Sequence, residues 1–214
     1  MSKFRRQLMM ARMGEPVPPT PVLPYDAEVE WLETDGNAWI DTGVKTSSNL
    51  RFDITMVLPD SIGNAWLFGS RSGANAGQMA FLSSATNGKD WRYGTKSSLN
   101  SGLLKGEHNF KNSPDRNVLI IDGTTSISAT NSTFSTNYTF YLFTFNANGT
   151  ASTSLICDGV KMLPSKIYVS GVLERDYICV RKDGVGYLYD KVSETLFGNA
   201  NSVGAFRYGN DKTT

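Results

Sequence analysis

The stretch Arg51-Phe52-Asp53-Ile54-Thr55-Met56-Val57-Leu58 (RFDITMVL, 51–58) decides the fold class. Phe52, Ile54, Met56 and Leu58 alternate with Arg51, Asp53, Thr55 and Val57, and a period of two places one set inward and the other toward water. This is the pattern of a strand with one buried face. Similar runs flank it on both sides: VEWLE (29–33), AWID (38–41), NAWLFG (64–69), MAFLS (79–83), VLIID (118–122), YTFYLFTF (138–145), KIYVS (166–170), YICVR (177–181) and GYLYD (186–190). YTFYLFTF is apolar at both phases of the alternation, which predicts a path through the middle of the domain. Between the runs stand Asp35-Gly36, Asn87-Gly88, Asp122-Gly123, Asn148-Gly149, Asp158-Gly159 and Asp183-Gly184. Such pairs suit hairpin turns, because glycine takes positive φ without steric cost. After Tyr25 no window of a dozen residues carries a 3.6-residue period. Short strands with frequent turns predict one all-β domain, a sandwich or jelly roll, over residues 25–214.

Residues 1–24 read differently. Lys3, Arg5, Arg6 and Arg12 give residues 1–14 a charge of +4 with no acid, so the other 200 residues carry −3 of the total +1. Five of the eight prolines fall in 16–24, a composition that favours an extended spacer. Phe4, Leu8 and Met9 give the preceding dozen residues a mixed apolar and basic character, too short for an independent helix. The expectation is a basic N-terminal arm and linker (1–24) ahead of one sandwich domain (25–214). Lys3, Phe4, Arg5, Arg6, Leu8 and Arg12 form the candidate partner-docking set. No run approaches the ~20 apolar residues of a membrane span, and the apolar run after the basic start is too short for a secretion signal.

Chemistry is sparse. The single histidine, His108, lies in the polar stretch KGEHNFKNS and reads as a surface-loop residue; it stands near no G-x-S-x-G elbow. Glycoside cleavage uses two carboxylates flanking the bond, and the nearest match is Glu28-Val-Glu30 with Glu33 and Asp35, on a strand where charge also guards an edge. No catalytic residue, metal ligand or cofactor is assigned, and no nucleic-acid partner. Cys157 and Cys179 read as two free, partly buried thiols. Binding surface is the remaining option. KDWRYG (89–94) is the candidate glycan-binding segment, with Asp90, Trp91, Arg92 and Tyr93, since aromatic faces stack on sugar rings; Trp31, Trp39 and Trp66 read as core.

Two segments resemble a known family. EVEWLETDGNAWIDTG (28–43) resembles the opening block, and KIYVSGVLERDYICVRKDGVGYLYDKVSETLFGN (166–199) the closing block, of concanavalin A-like (LamG-like) jelly-roll domains. Cys179 stands where that pattern often has proline. Such domains are widespread in gut Bacteroides proteins and in their bacteriophages, including crAss-like phages, where they resemble virion proteins. The resemblance implies an all-β, concanavalin A-like jelly-roll sandwich of two antiparallel sheets, preceded by the N-terminal arm. With the basic arm it implies a non-enzymatic phage virion protein, a head-decorating or fibre subunit docked to other virion proteins through 1–24, with homo-oligomers an open option. The alternative is a glycan-binding adhesin at a bacterial cell surface. Neither reading carries over a catalytic or calcium-binding residue.

Overall fold

The computed structural model describes residues 23–213 apart from 74–75, 85–87, 103, 113–116, 131 and 157, with backbone alone at 96–98. The described residues form two antiparallel sheets packed face to face, as the alternation predicts. The larger sheet runs in the order Thr125–Ser128, Val118–Ile121, Gly106–Asn112, Leu50–Leu58, Ser165–Val169, Val172–Lys182, Val185–Asp190 and Thr195–Phe197. The second sheet runs Ile40–Ser47, Ser135–Leu142, Ala65–Arg71, Gln78–Ser84, Gly88–Gly94 and Lys96–Asn100. A short segment, Asn146–Ala147, adds to it as the parallel neighbour of Ala65–Arg71. Among the described residues no helix is long and apolar enough to cross a membrane.

The deciding strand, Leu50–Leu58, behaves as its sequence dictates: every second residue is buried and the intervening ones are half-exposed. Phe52 reaches across to Phe68 on the second sheet with ring centroids 5.0 Å apart, and Phe110 lies 5.2 Å from Phe81. Trp91, Phe140 and Phe68 complete this aromatic centre around Phe52. Tilted ring pairs of this kind add about 0.5–1.5 kcal/mol each beyond burial. One continuous apolar core fills the space between the sheets.

Three Asx-Gly pairs make the expected hairpins. Asp122-Gly123, Asn148-Gly149 and Asp183-Gly184 each have positive φ at both residues, the turn whose twist matches that of the flanking strands. Ser170-Gly171 makes the same turn (φ 52° and 85°) between Ser165–Val169 and Val172–Lys182 without an Asx residue to announce it.

Two readings need correction. VEWLE is not one strand: Ala27–Glu28 pairs with Val172–Lys182, whereas Leu32–Thr34 pairs with Lys161–Met162 and Phe206–Tyr208. YTFYLFTF stops being a strand after Leu142, because Phe143 turns the chain at φ 67°. Its apolar residues on both phases are buried for different reasons. Phe140 and Leu142 enter the main core, Tyr141 stacks on Trp39, and Phe145 stacks on Trp66 in a satellite cluster.

Candidate functional site

Strand Gly88–Gly94 separates the four residues expected to bind sugar together. Side chains one apart on a strand point to opposite faces. Trp91 and Tyr93 point inward and are fully buried. The Trp91 indole N–H donates to the Asn117 carbonyl at 2.9 Å, and the Tyr93 ring packs edge-on against Phe134. Neither ring presents a face to solvent, so the expected stacking platform is corrected to core.

Asp90 and Arg92 project the other way and engage each other, with Arg92 Nη2 2.8 Å and Nε 2.9 Å from Asp90 Oδ2. The Arg92 guanidinium lies over the Trp66 ring at 4.8 Å, Trp66 stacks on Phe145 at 4.4 Å, and Arg71 lies over Phe145 at 5.2 Å. Leu82, Ala147 and Leu155 pack against the same pair. The residues after Leu142 thus cover this part of the second sheet's outer face with the chain's own side chains.

The larger sheet is different. Where the start of Leu50–Leu58, the end of Gly106–Asn112 and the Ser170-Gly171 turn meet, an open cleft of 510 Å³ is lined by Arg51, Asp53, Lys111, Tyr168 and the polar side chains of Asn49 and Ser170. Strand register builds it. Asp53 stands opposite Lys111 on one neighbour and opposite Lys166 on the other, and Arg51 stands opposite Tyr168. Asp53 Oδ2 lies 3.0 Å from Lys111 Nζ, and Asp53 Oδ1 accepts from Asn109 Nδ2 at 2.7 Å. Both charged groups stay in contact with water, at 37% and 52% side-chain exposure for Asp53 and Lys111.

Arg51 Nη1 donates to the Leu50 carbonyl at 2.9 Å, which holds the guanidinium at the rim. Beneath it the buried Asn112 bonds the neighbouring strand's backbone: its Oδ1 accepts from Phe52 N–H and its Nδ2 donates to Leu50 O, both at 2.9 Å. The tip of the hairpin is pinned by Ser170 N–H donating to Asn49 O at 3.0 Å. The result is a carboxylate acceptor, several charged or amide donors and a tyrosine ring on one rigid surface. A sugar hydroxyl both donates and accepts, so such a mixed set matches it. Among the described lining residues Asp53 is the one acid.

This site was not singled out from the sequence. The alternation in RFDITMVL does put Arg51 and Asp53 outward, and that in KIYVS puts Lys166 and Tyr168 on one face. What the sequence lacks is the pairing that brings those segments beside Lys111.

The other expected residues fall as follows. Lys3, Phe4, Arg5, Arg6, Leu8 and Arg12 lie outside the described residues, as does Cys157. His108 is in strand Gly106–Asn112 and not in a loop, with Nδ1 2.7 Å from Asp122 Oδ2 and Nε2 3.1 Å from the Lys105 carbonyl. Glu30 accepts from Asn210, and Glu33 pairs with Arg207 at 2.7 Å and Lys161 at 3.5 Å. At Asp35 burial works against ionisation, yet the N–H groups of Ala205, Asn37 and Ala38 outweigh it and hold the carboxyl below its ordinary range. These acids brace the strands and turns around them. Trp39 is half-buried against the main core and Trp66 is buried in the satellite cluster, whereas Trp31 is half-exposed under the Lys161 ammonium at 4.2 Å. Cys179 is a buried free thiol, its acidity suppressed by burial to a pKa of about 12.

No family model matches the chain, and no curated protein sequence matches it. Among solved structures, the chain is similar to the crystal structure of a Bacteroides ovatus protein described as a "putative carbohydrate binding protein", with a TM-score of 0.51 and 10% sequence identity. The similarity covers 85% of this chain and 60% of that one, so the chain spans less than two thirds of its length. At such identity the likeness establishes a shared β-sandwich fold.

Proposed function

We infer that the protein is a non-catalytic glycan-binding module whose sugar site is the cleft at Arg51, Asp53, Lys111 and Tyr168. The observation that carries this reading is the convergence of these four side chains on one open, water-accessible surface of the larger sheet. Tyr168 supplies an apolar ring for the C–H face of a sugar, Asp53 accepts from its hydroxyls, and Arg51 and Lys111 donate to them. The fold shared with a Bacteroides ovatus protein described as a "putative carbohydrate binding protein" supports the same reading. Surface display on a gut bacterium follows from it as part of the proposal. A place on a phage particle, the other role implied by the sequence resemblance, has no observation among the described residues in its favour.

A glycan array tests the inference. The wild-type chain is expected to bind a restricted set of glycans. Tyr168→Ala and Asp53→Ala should each weaken binding by about tenfold or more, with thermal unfolding nearly unchanged because both residues are partly exposed. A blank wild-type array, or full binding by both variants, contradicts the reading.

A further inference from the structure

We propose that the saccharide taken by this cleft is an acidic one, a sugar ring bearing carboxylate or sulfate groups, held along a row of alternating charges, with cations in excess, that continues from the cleft across the sheet. The proposal rests on the glycan-binding reading and adds the ligand class. Lys111, Asp53, Lys166 and Asp176 stand side by side on four neighbouring strands of the larger sheet. Adjacent strands lie ~4.8 Å apart, so the row is roughly 14 Å long, enough for several sugar residues. Lys191 joins its end, 3.3 Å from Asp176, and Arg51 flanks it one alternation along the strand.

These six residues comprise four cations and two carboxylates. Both carboxylates are engaged: Asp53 with Lys111 and Asn109, and Asp176 with Lys191 at 3.3 Å and Lys166 at 3.9 Å. Among these six residues the acids are therefore paired and the cations outnumber them by two. Residues 15–214 carry −3 in total, and the row contributes +2 to that sum, so the remainder of the span carries −5. Within a net-negative domain, a local excess of positive charge attracts anions to that face and not to the domain's whole surface.

Affinity electrophoresis of the full chain separates the possibilities, using polygalacturonate, dextran sulfate, neutral dextran and a single-stranded oligonucleotide at ~50 and ~500 mM salt. The expected result is retardation by polygalacturonate or dextran sulfate at least about tenfold stronger than by dextran, weakened at high salt. Whichever polymer binds identifies the carboxylate or the sulfate as the recognised group. Lys111→Gln and Arg51→Gln should each reduce it about tenfold, while Lys105→Gln, an exposed lysine just before strand Gly106–Asn112, should leave it unchanged. Equal retardation by neutral dextran would overturn the acidic class and leave the glycan-binding reading intact. Equal retardation by the oligonucleotide, or equal loss in Lys105→Gln, would reduce the effect to general polyanion attraction and overturn it too. No retardation by either acidic polymer also overturns it; only a blank glycan array as well would remove the underlying reading.

Discussion

At the scale of single residues, Trp91 and Arg92 show how one position along a strand changes a side chain's role. Trp91 is fully buried and touches Phe52 and Tyr93, with its indole N–H bound to Asn117. Truncation should therefore act on stability: Trp91→Ala is expected to cost about 3–5 kcal/mol in urea denaturation through loss of buried area and the cavity left behind. A change below 1 kcal/mol would show that the ring is not a core element. The period of two that separates Trp91 and Tyr93 from Asp90 and Arg92 was legible in KDWRYG. Its phase was not, because a strand with tryptophan and tyrosine on one face and an ion pair on the other satisfies either an outward aromatic platform or an inward one. The core's demand for large rings between Phe52 and Phe134 decides it. Tyr168 was half-legible: the alternation in KIYVS puts it on the face of Lys166, but its place opposite Arg51 comes only from strand pairing.

Elements are where local pattern and long-range pairing part company. Asp122-Gly123, Asn148-Gly149 and Asp183-Gly184 announce their turns because both residue types tolerate positive φ. Ser170-Gly171 does not, since serine seldom adopts that conformation, and this is the turn that closes the cleft. Pairing of Leu50–Leu58 with both Gly106–Asn112 and Ser165–Val169 joins segments distant in sequence, and nothing in their alternation selects those partners. The second sheet offers a direct check on register. Gly69 (φ 136°) faces Ala80 on the next strand, and a Cβ there would sit 2.4 Å from the Ala80 Cα. Gly69→Ala must push the two strands apart, with an expected loss of about 1–3 kcal/mol in denaturant midpoint analysis. An unchanged midpoint would mean that Ala65–Arg71 and Gln78–Ser84 are not in this register.

For the whole molecule, fold class was readable from alternation and turn spacing, while the choice of functional face was not. Both sheets have outward polar residues, and both carry aromatics in their strands. The difference arises after Leu142, where the chain turns and lays Phe145 over Trp66, filling the outer face of the second sheet with contacts of its own. The larger sheet keeps its cleft open at Arg51, Asp53, Lys111 and Tyr168. Access to a ligand thus depends on which sheet the chain covers, a tertiary property without a local signature. Amide chemical-shift mapping during titration with a glycan that binds the chain tests this account most directly. Shifts should cluster at 49–53, 109–112 and 168–171, leaving 64–71 and 88–94 unmoved. Shifts centred on Trp66 and Arg92 instead would contradict it.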